Sequence, residues 1–216
     1  MPPTIEMRNT GQLDDFERAN ENPVQPPWYI VPGNFNMKID AGTLDGTEFP
    51  PVPALAYYAG REFYGQTVET WGIMAGDAAE TDGWRFGMYT VDSLLHTGLP
   101  NGYQCLPHNS IGAWTWTLRR YDNGNPTAID SGPEGTMGNT DIVLMRRVGT
   151  NIEVWHWRPS TDVWVLRHDV ADTTYTIGPF YFIYGATGVE TGWQGIGGGV
   201  KNRQHIYRWL RAPART

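Results

Sequence analysis

From Thr67 onward the chain is a succession of short segments in which apolar and polar side chains alternate, each closed by Gly, Asn, Asp or Pro. A period of two sends successive side chains to opposite faces of a strand, and it suits no helix. The clearest segment is 113–121, where Trp114, Trp116 and Leu118 share one face and Thr115, Thr117 and Arg119 the other. The same reading predicts strands at 67–75, 84–91, 141–148, 152–157 and 163–170, then at 180–185 and 193–196. Residues 203–211 end the chain either as a last strand or as a docking arm. Residues 101–111 read as a loop, and so do 41–56, because Pro50, Pro51 and Pro53 cannot donate to a central ladder. With no linker, low-complexity tract or tandem repeat, the economical architecture is one all-β domain, an antiparallel sandwich.

Composition agrees and closes off other classes. Trp 10, Tyr 11 and Phe 7 supply apolar surface to order the chain, while Gly 26 and Pro 16 supply turns. A single domain of 216 residues buries about 70% of its unfolded surface and needs no staple. Cys105 stands alone, so neither an intrachain disulfide nor a cysteine zinc site is expected. A net charge of −7 argues against nucleic acid as a partner. No run approaches the ~18 apolar residues of a membrane span, and the first residues lack the basic and apolar regions of a signal peptide. Neither membrane insertion nor a leader is expected.

One hairpin can be placed in register. Setting Trp157 opposite Val163 puts Trp155 opposite Val165 and Glu153 opposite Arg167, an attractive pair. Ile152, Val154 and His156 then form the other face, against Trp164, Leu166 and His168. A slip by one residue would exchange the faces and lose the match between Glu153 and Arg167.

The segment Leu13-Asp14-Asp15-Phe16-Glu17-Arg18-Ala19-Asn20, followed by Trp28, resembles the opening of concanavalin A-like (laminin-G-like) jelly-roll domains. That opening reads D-x-F-x-R-A-(D/N), then W, and such domains recur in minor tail and tail-tip proteins of tailed bacteriophages. Trp84-Arg85-Phe86-Gly87-Met88-Tyr89, the segments 116–124 and 143–154, and the closing 172–178, 182–185 and 198–199 follow the same order. The resemblance covers residues 13–200 and implies a concanavalin A-like antiparallel β-sandwich, with an N-terminal arm at 1–12 and a basic segment at 201–216. It implies that Asp15, Phe16 and Trp28 are framework residues, Phe16 and Trp28 in the core. The insertion around Pro50, Pro51 and Pro53 and the basic segment fall outside the shared pattern, and no ligand site is carried over.

Several glycosidases share the jelly roll, and hydrolysis needs two carboxyls about 5 Å apart for retention or about 6.5–9.5 Å for inversion. Glu69 and Glu153 each sit alone on their strands, so no catalytic residue is assigned. Asp77, Glu80 and Asp82 crowd into one short loop whose oxygens suit Ca²⁺ in type but not in EF-hand spacing. A solvated turn is the simpler reading, and no metal or cofactor is assigned. His96, His108, His156, His168 and His205 show no metal-binding spacing. The glycines between 192 and 199 lack a phosphate-loop signature and read as sites of close sheet packing or bulges. The tryptophans remain. Trp155 and Trp157 alternate on one strand, and such rings either stack on the C–H faces of sugars or fill a core or subunit interface.

With the resemblance, these features lead to the expectation of a non-enzymatic structural virion protein of a tailed phage. It would be a minor tail or tail-tip component, assembled in the host cytoplasm, packing against other virion proteins as a homo-oligomer in the particle. Glycan contact at the host surface would fall to Trp155 and Trp157. A capsid decoration protein, a lectin-type carbohydrate-binding module and a glycan hydrolase are the alternatives. In the basic segment, Arg203, Ile206, Arg208, Trp209 and Arg211 form a candidate interface, since Arg and Trp are enriched in interface hot spots and the segment has no acid.

Overall fold

The structure is a computed structural model. It describes residues 12–34, 36–46, 54–64, 67–76, 83–90, 92–93, 100–110, 113–133, 137–176, 178–187 and 192–200. Most of the expected N-terminal arm, the insertion prolines, the acidic loop at 77–82 and the basic segment at 201–216 lie outside these residues.

Every named element among the described residues is a strand. The first seven are β1 (Gln12–Asp14), β2 (Trp28–Ile30), β3 (Met37–Asp40), β4 (Thr43–Gly46), β5 (Ala54–Phe63), β6 (Thr67–Ala75) and β7 (Gly83–Thr90). There follow β8 (Gly102–Ser110), β9 (Ala113–Asp122), β10 (Asn125–Pro133) and β11 (Ile142–Val148). The last are β12 (Asn151–Arg158), β13 (Val163–Ala171), β14 (Phe180–Thr187) and β15 (Gly192–Val200). An eight-stranded sheet runs β13-β12-β11-β6-β15-β4-β3, with β1 also paired to β15. A seven-stranded sheet runs β10-β9-β8-β7-β14-β5-β2. The ladders are antiparallel.

The core lies between the sheets. Val68, Met74, Val143, Met145, Ile152 and Val154 from one sheet meet Trp84, Phe86, Met88, Trp116, Phe182 and Tyr184 from the other. Aromatic N–H and O–H groups buried there need acceptors, and three find them on the opposite sheet. Trp84 Nε1 donates to the Gly192 carbonyl at 2.8 Å, Trp193 Nε1 to Gly185 at 3.0 Å, and the Tyr184 hydroxyl to Trp71 at 2.8 Å. The glycine run of β15 serves this packing, as read from the sequence. A bulge falls between Trp193 and Gly195, and a Cβ on Gly198 would lie 2.4 Å from a Phe182 ring atom.

The expected all-β sandwich is what the chain forms, and the six strands read from alternation between 67 and 170 all appear within a residue or two. Three corrections follow. Residues 101–111 hold β8, a central strand, rather than a loop. Its Pro107 is tolerated because the β7–β8 ladder is interrupted between Gly83–His108 and Phe86–Cys105, where an N–H is not required. The supposed loop at 41–56 contains β4 and the start of β5. The hairpin is shifted by one: Trp157 faces Trp164, Trp155 faces Leu166, and Arg158 faces Val163. A bulge at Arg167 then puts Glu153 opposite Asp169. The charged partner of Glu153 is Arg146 on β11, at 2.6 Å.

The opening motif is framework, with one change of residue. Phe16 and Trp28 are buried with ring centroids 5.7 Å apart, but Asp14, not Asp15, accepts the Trp28 Nε1–H at 2.7 Å. Asp15 is exposed and, among the described residues, accepts from the Glu17 backbone N–H alone.

Candidate functional site

Two outer faces carry aromatic clusters distinct from the core. On the eight-stranded sheet, Trp71, Ile73, Ile142 and Trp157 pack together, with Leu144 and Trp164 against them. Trp157 is only 5% exposed and donates to Asp162 at 3.2 Å, which leaves little ring face for a sugar. Trp155 is half-buried, donates to Glu153 at 2.8 Å and has the Arg146 guanidinium 5.7 Å from its ring. The register also places Arg146 directly between Glu69 and Glu153.

The outer face of the seven-stranded sheet is built differently. Alternation brings Tyr29 of β2, Tyr57 of β5, Ile183 of β14, Gly87 of β7, Gln104 of β8 and Arg119 of β9 into one cross-strand row. The next row holds Tyr181, Tyr89, Gly102 and Tyr121. Tyr29 stacks on Tyr57 at 5.6 Å, and Tyr57 on Tyr181 at 5.2 Å. The ladder ends in an open ring, since Tyr29 is 46% exposed. Tyr181 donates to Glu62 at 3.4 Å, and the more exposed Tyr64 also donates to Glu62.

Across the same face lies a hydrogen-bonded polar group. Buried Gln104 accepts from Tyr121 at 3.0 Å and from Arg85 at 3.3 Å, and its amide donates to Tyr89 at 3.2 Å. Burial lowers the Arg85 pKa, and the charge of nearby Arg119 pushes the same way, against Tyr121 and Tyr89. Burial likewise raises the phenols of Tyr57, Tyr89 and Tyr181, so all three stay protonated and can donate. Aromatic faces beside fixed donors and acceptors are what a small polar ligand requires. Sequence reading missed Tyr29 and Tyr57, whose strands it did not foresee. Arg85 and Arg119 were visible only as the polar halves of two alternating segments.

The three described histidines each have their own partner. His156 meets Asp141 at 2.8 Å, His168 meets Asp130 at 2.9 Å, and His108 meets Thr115 at 2.7 Å. Cys105 is buried, and burial raises its thiol pKa. Among the described residues no three His, Cys, Asp or Glu side chains converge. Arg203, Ile206, Arg208, Trp209 and Arg211 lie outside the described residues, as do Asp77, Glu80 and Asp82.

The arrangement of the sheets has close counterparts among solved structures. The exoplasmic/lumenal domain of VIP36 in its Ca²⁺-bound form superposes with a TM-score of 0.66 over 93% of this chain and 94% of that one, at 8% identity. The carbohydrate recognition domain of Emp47p gives 0.60 over 89% and 98%, at 11% identity. The chain has the concanavalin A-like β-sandwich fold. Likeness at such identity carries the fold alone, and the concanavalin A-like frame hosts different sites on different members. No protein-family model matches the sequence, and no curated protein matches it.

Proposed function

We propose that this chain is a non-catalytic glycan-binding module whose site is the outer face of the seven-stranded sheet. The observation that carries the reading is the tyrosine ladder ending in exposed Tyr29, set beside the Gln104–Tyr121–Arg85 group. A sugar presents apolar C–H faces for the rings and hydroxyls for the polar group. The fold is compatible with such work: one of the similar structures is VIP36 with Ca²⁺ and mannose bound, and another is named a carbohydrate recognition domain. On the expectation of a tailed-phage minor tail or tail-tip protein, glycan contact would be its task at the host surface, and packing in the virion a second one.

The test is glycan binding by the intact chain on an array of neutral and acidic sugars. Replacing Tyr29 by Ala is expected to weaken binding by about two- to tenfold, one stacking contact's worth. Trp155→Ala is the comparison, because Trp155 is a half-buried tryptophan on the other sheet. Loss with Trp155→Ala and none with Tyr29→Ala would move the site to the eight-stranded sheet. Absence of binding to any glycan would end the reading.

A further inference from the structure

The tyrosine ladder runs between two exposed rings. Among the described residues the exposed large aromatics are Tyr29, at 46%, and Tyr64, at 56%. Tyr29 stacks on Tyr57 and Tyr57 on Tyr181, across the successive strands β2, β5 and β14. Beyond them the Tyr181 and Tyr64 hydroxyls donate to one carboxylate, that of Glu62. Tyr181 bonds Oε1 and Tyr64 bonds Oε2, so the carboxylate is held in place and each oxygen keeps acceptor capacity. The bond to Glu62 is the main cause that raises the Tyr64 pKa, which keeps that phenol protonated as the donor. Glu62 is half-buried, and no cation pairs with it among the described residues. A fixed carboxylate with spare acceptor capacity, beside an open aromatic ring, suits a ligand that has both an apolar face and hydrogen-bond donors.

We infer that Glu62 and Tyr64 form a second sugar subsite, and that the glycan is a neutral oligosaccharide spanning both ends of the ladder. One sugar lies on Tyr29 and another on Tyr64, with hydroxyls of the latter donating to Glu62. This rests on the reading of the face as a glycan site. Two ring-to-ring steps of 5.6 and 5.2 Å, and then the Tyr181–Glu62 bond of 3.4 Å, separate the subsites, more than a single sugar ring covers. Neighbouring hydroxyls of one sugar match the two carboxylate oxygens, and such charge-assisted bonds are the strong ones. A sugar acid at that end would meet Glu62 as a like charge. Joining two weak subsites through one glycan makes the second contact intramolecular, so affinity grows with glycan length until both are filled.

The experiment measures binding of the full chain by calorimetry to manno-, cello- and galacturono-oligosaccharides, graded from monosaccharide to hexasaccharide. We expect a neutral series to bind, its hexasaccharide about tenfold or more tighter than its monosaccharide, with the galacturonate series weaker at every length. Glu62→Gln is expected to lower hexasaccharide affinity by roughly ten- to hundredfold, the range of hydrogen bonds to a charged group. Tyr64→Ala should lower it by about two- to tenfold, whereas Tyr64→Phe, which keeps the ring, should retain most of it. All three variants should melt with the wild type. A hexasaccharide bound no tighter than its monosaccharide, or bound equally well by Glu62→Gln and Tyr64→Ala, overturns the second subsite and leaves glycan binding at Tyr29 standing. Galacturonate bound best overturns the neutral assignment. Binding to none of the three series overturns the inference, and absence of any glycan binding on the array overturns the reading beneath it as well.

Discussion

Asp14 joins three parts of the N-terminal segment. Its carboxylate accepts from the Phe16 backbone at 2.9 Å, from Arg18 at 2.6 Å and from the buried Trp28 indole at 2.7 Å. Removing it strands an indole N–H inside the protein and leaves Arg18 with Glu21 alone as ion-pair partner. Asp14→Ala is therefore expected to cost about 1–3 kcal/mol in urea unfolding, against less than about 0.5 kcal/mol for Asp15→Ala. A larger loss at Asp15 would return the framework role to the residue that the opening motif suggested. The motif itself was legible. Which of two adjacent aspartates serves it depends on where the chain turns toward Trp28, 14 residues on, and no local pattern carries that.

At the scale of elements, the β12–β13 hairpin shows how a correct face assignment can coexist with a wrong register. Ile152, Val154 and His156 do point into the core, as alternation on β12 requires. The slip begins at the turn, where Arg158 rather than Trp157 pairs with Val163, and the bulge at Arg167 adds a second offset that a rule counting residues outward from the turn cannot see. Arg167 goes inward to His156 at 3.0 Å and over the Trp116 ring, which frees Glu153 for Arg146. A double-mutant cycle of Glu153→Ala with Arg146→Ala should give a coupling of about 1–3 kcal/mol, since both side chains are largely sheltered. The cycle of Glu153→Ala with Arg167→Ala should give none beyond error, and a sizeable coupling there would reinstate the simpler register. β10 escaped notice for a related reason: as an edge strand it tolerates Pro126 and Pro133 and exposes polar side chains, so it reads like a loop.

For the whole molecule, acid sensitivity follows from His156, which lies between the sheets with Trp116 5.2 Å away. Its Nε2–H donates to Asp141, and its Nδ1 accepts from Arg167, which a second ring proton would oppose. Burial is the main cause that lowers its pKa, with Arg167 and Arg158 adding to the effect and Asp141 opposing it. The unfolded chain, with His near 6.5, therefore binds more protons than the folded one as pH falls through about 6.5. This contribution to stability is complete above that value and is lost below it. Asp172 acts lower on the scale. Burial raises its pKa, but hydrogen bonds from Thr174, Tyr103 and Arg120 outweigh this and hold it at about 2, so its stabilisation disappears between about pH 4 and 2. Melting temperatures should fall between pH 7.5 and 5, and His156→Gln should flatten that limb. A wild-type curve level over that interval would refute the assignment.

The class of fold was readable from the chain because a two-residue alternation is local: each strand declares its faces whatever it pairs with. The burial of Phe16 and Trp28 was implied by the resemblance of the opening motif, and the glycines of β15 were legible as packing sites. The candidate site was not readable, because Tyr29, Tyr57, Gln104 and Arg119 become neighbours only through strand order, and that order is set by which apolar faces meet across the core. Trp157 shows the converse: its place in the alternation was visible, but its burial depends on Trp71, Ile73 and Ile142, brought alongside by β6 and β11. Local sequence determined which residues could lie on a face, and long-range pairing of strands decided which face they share and what they touch there.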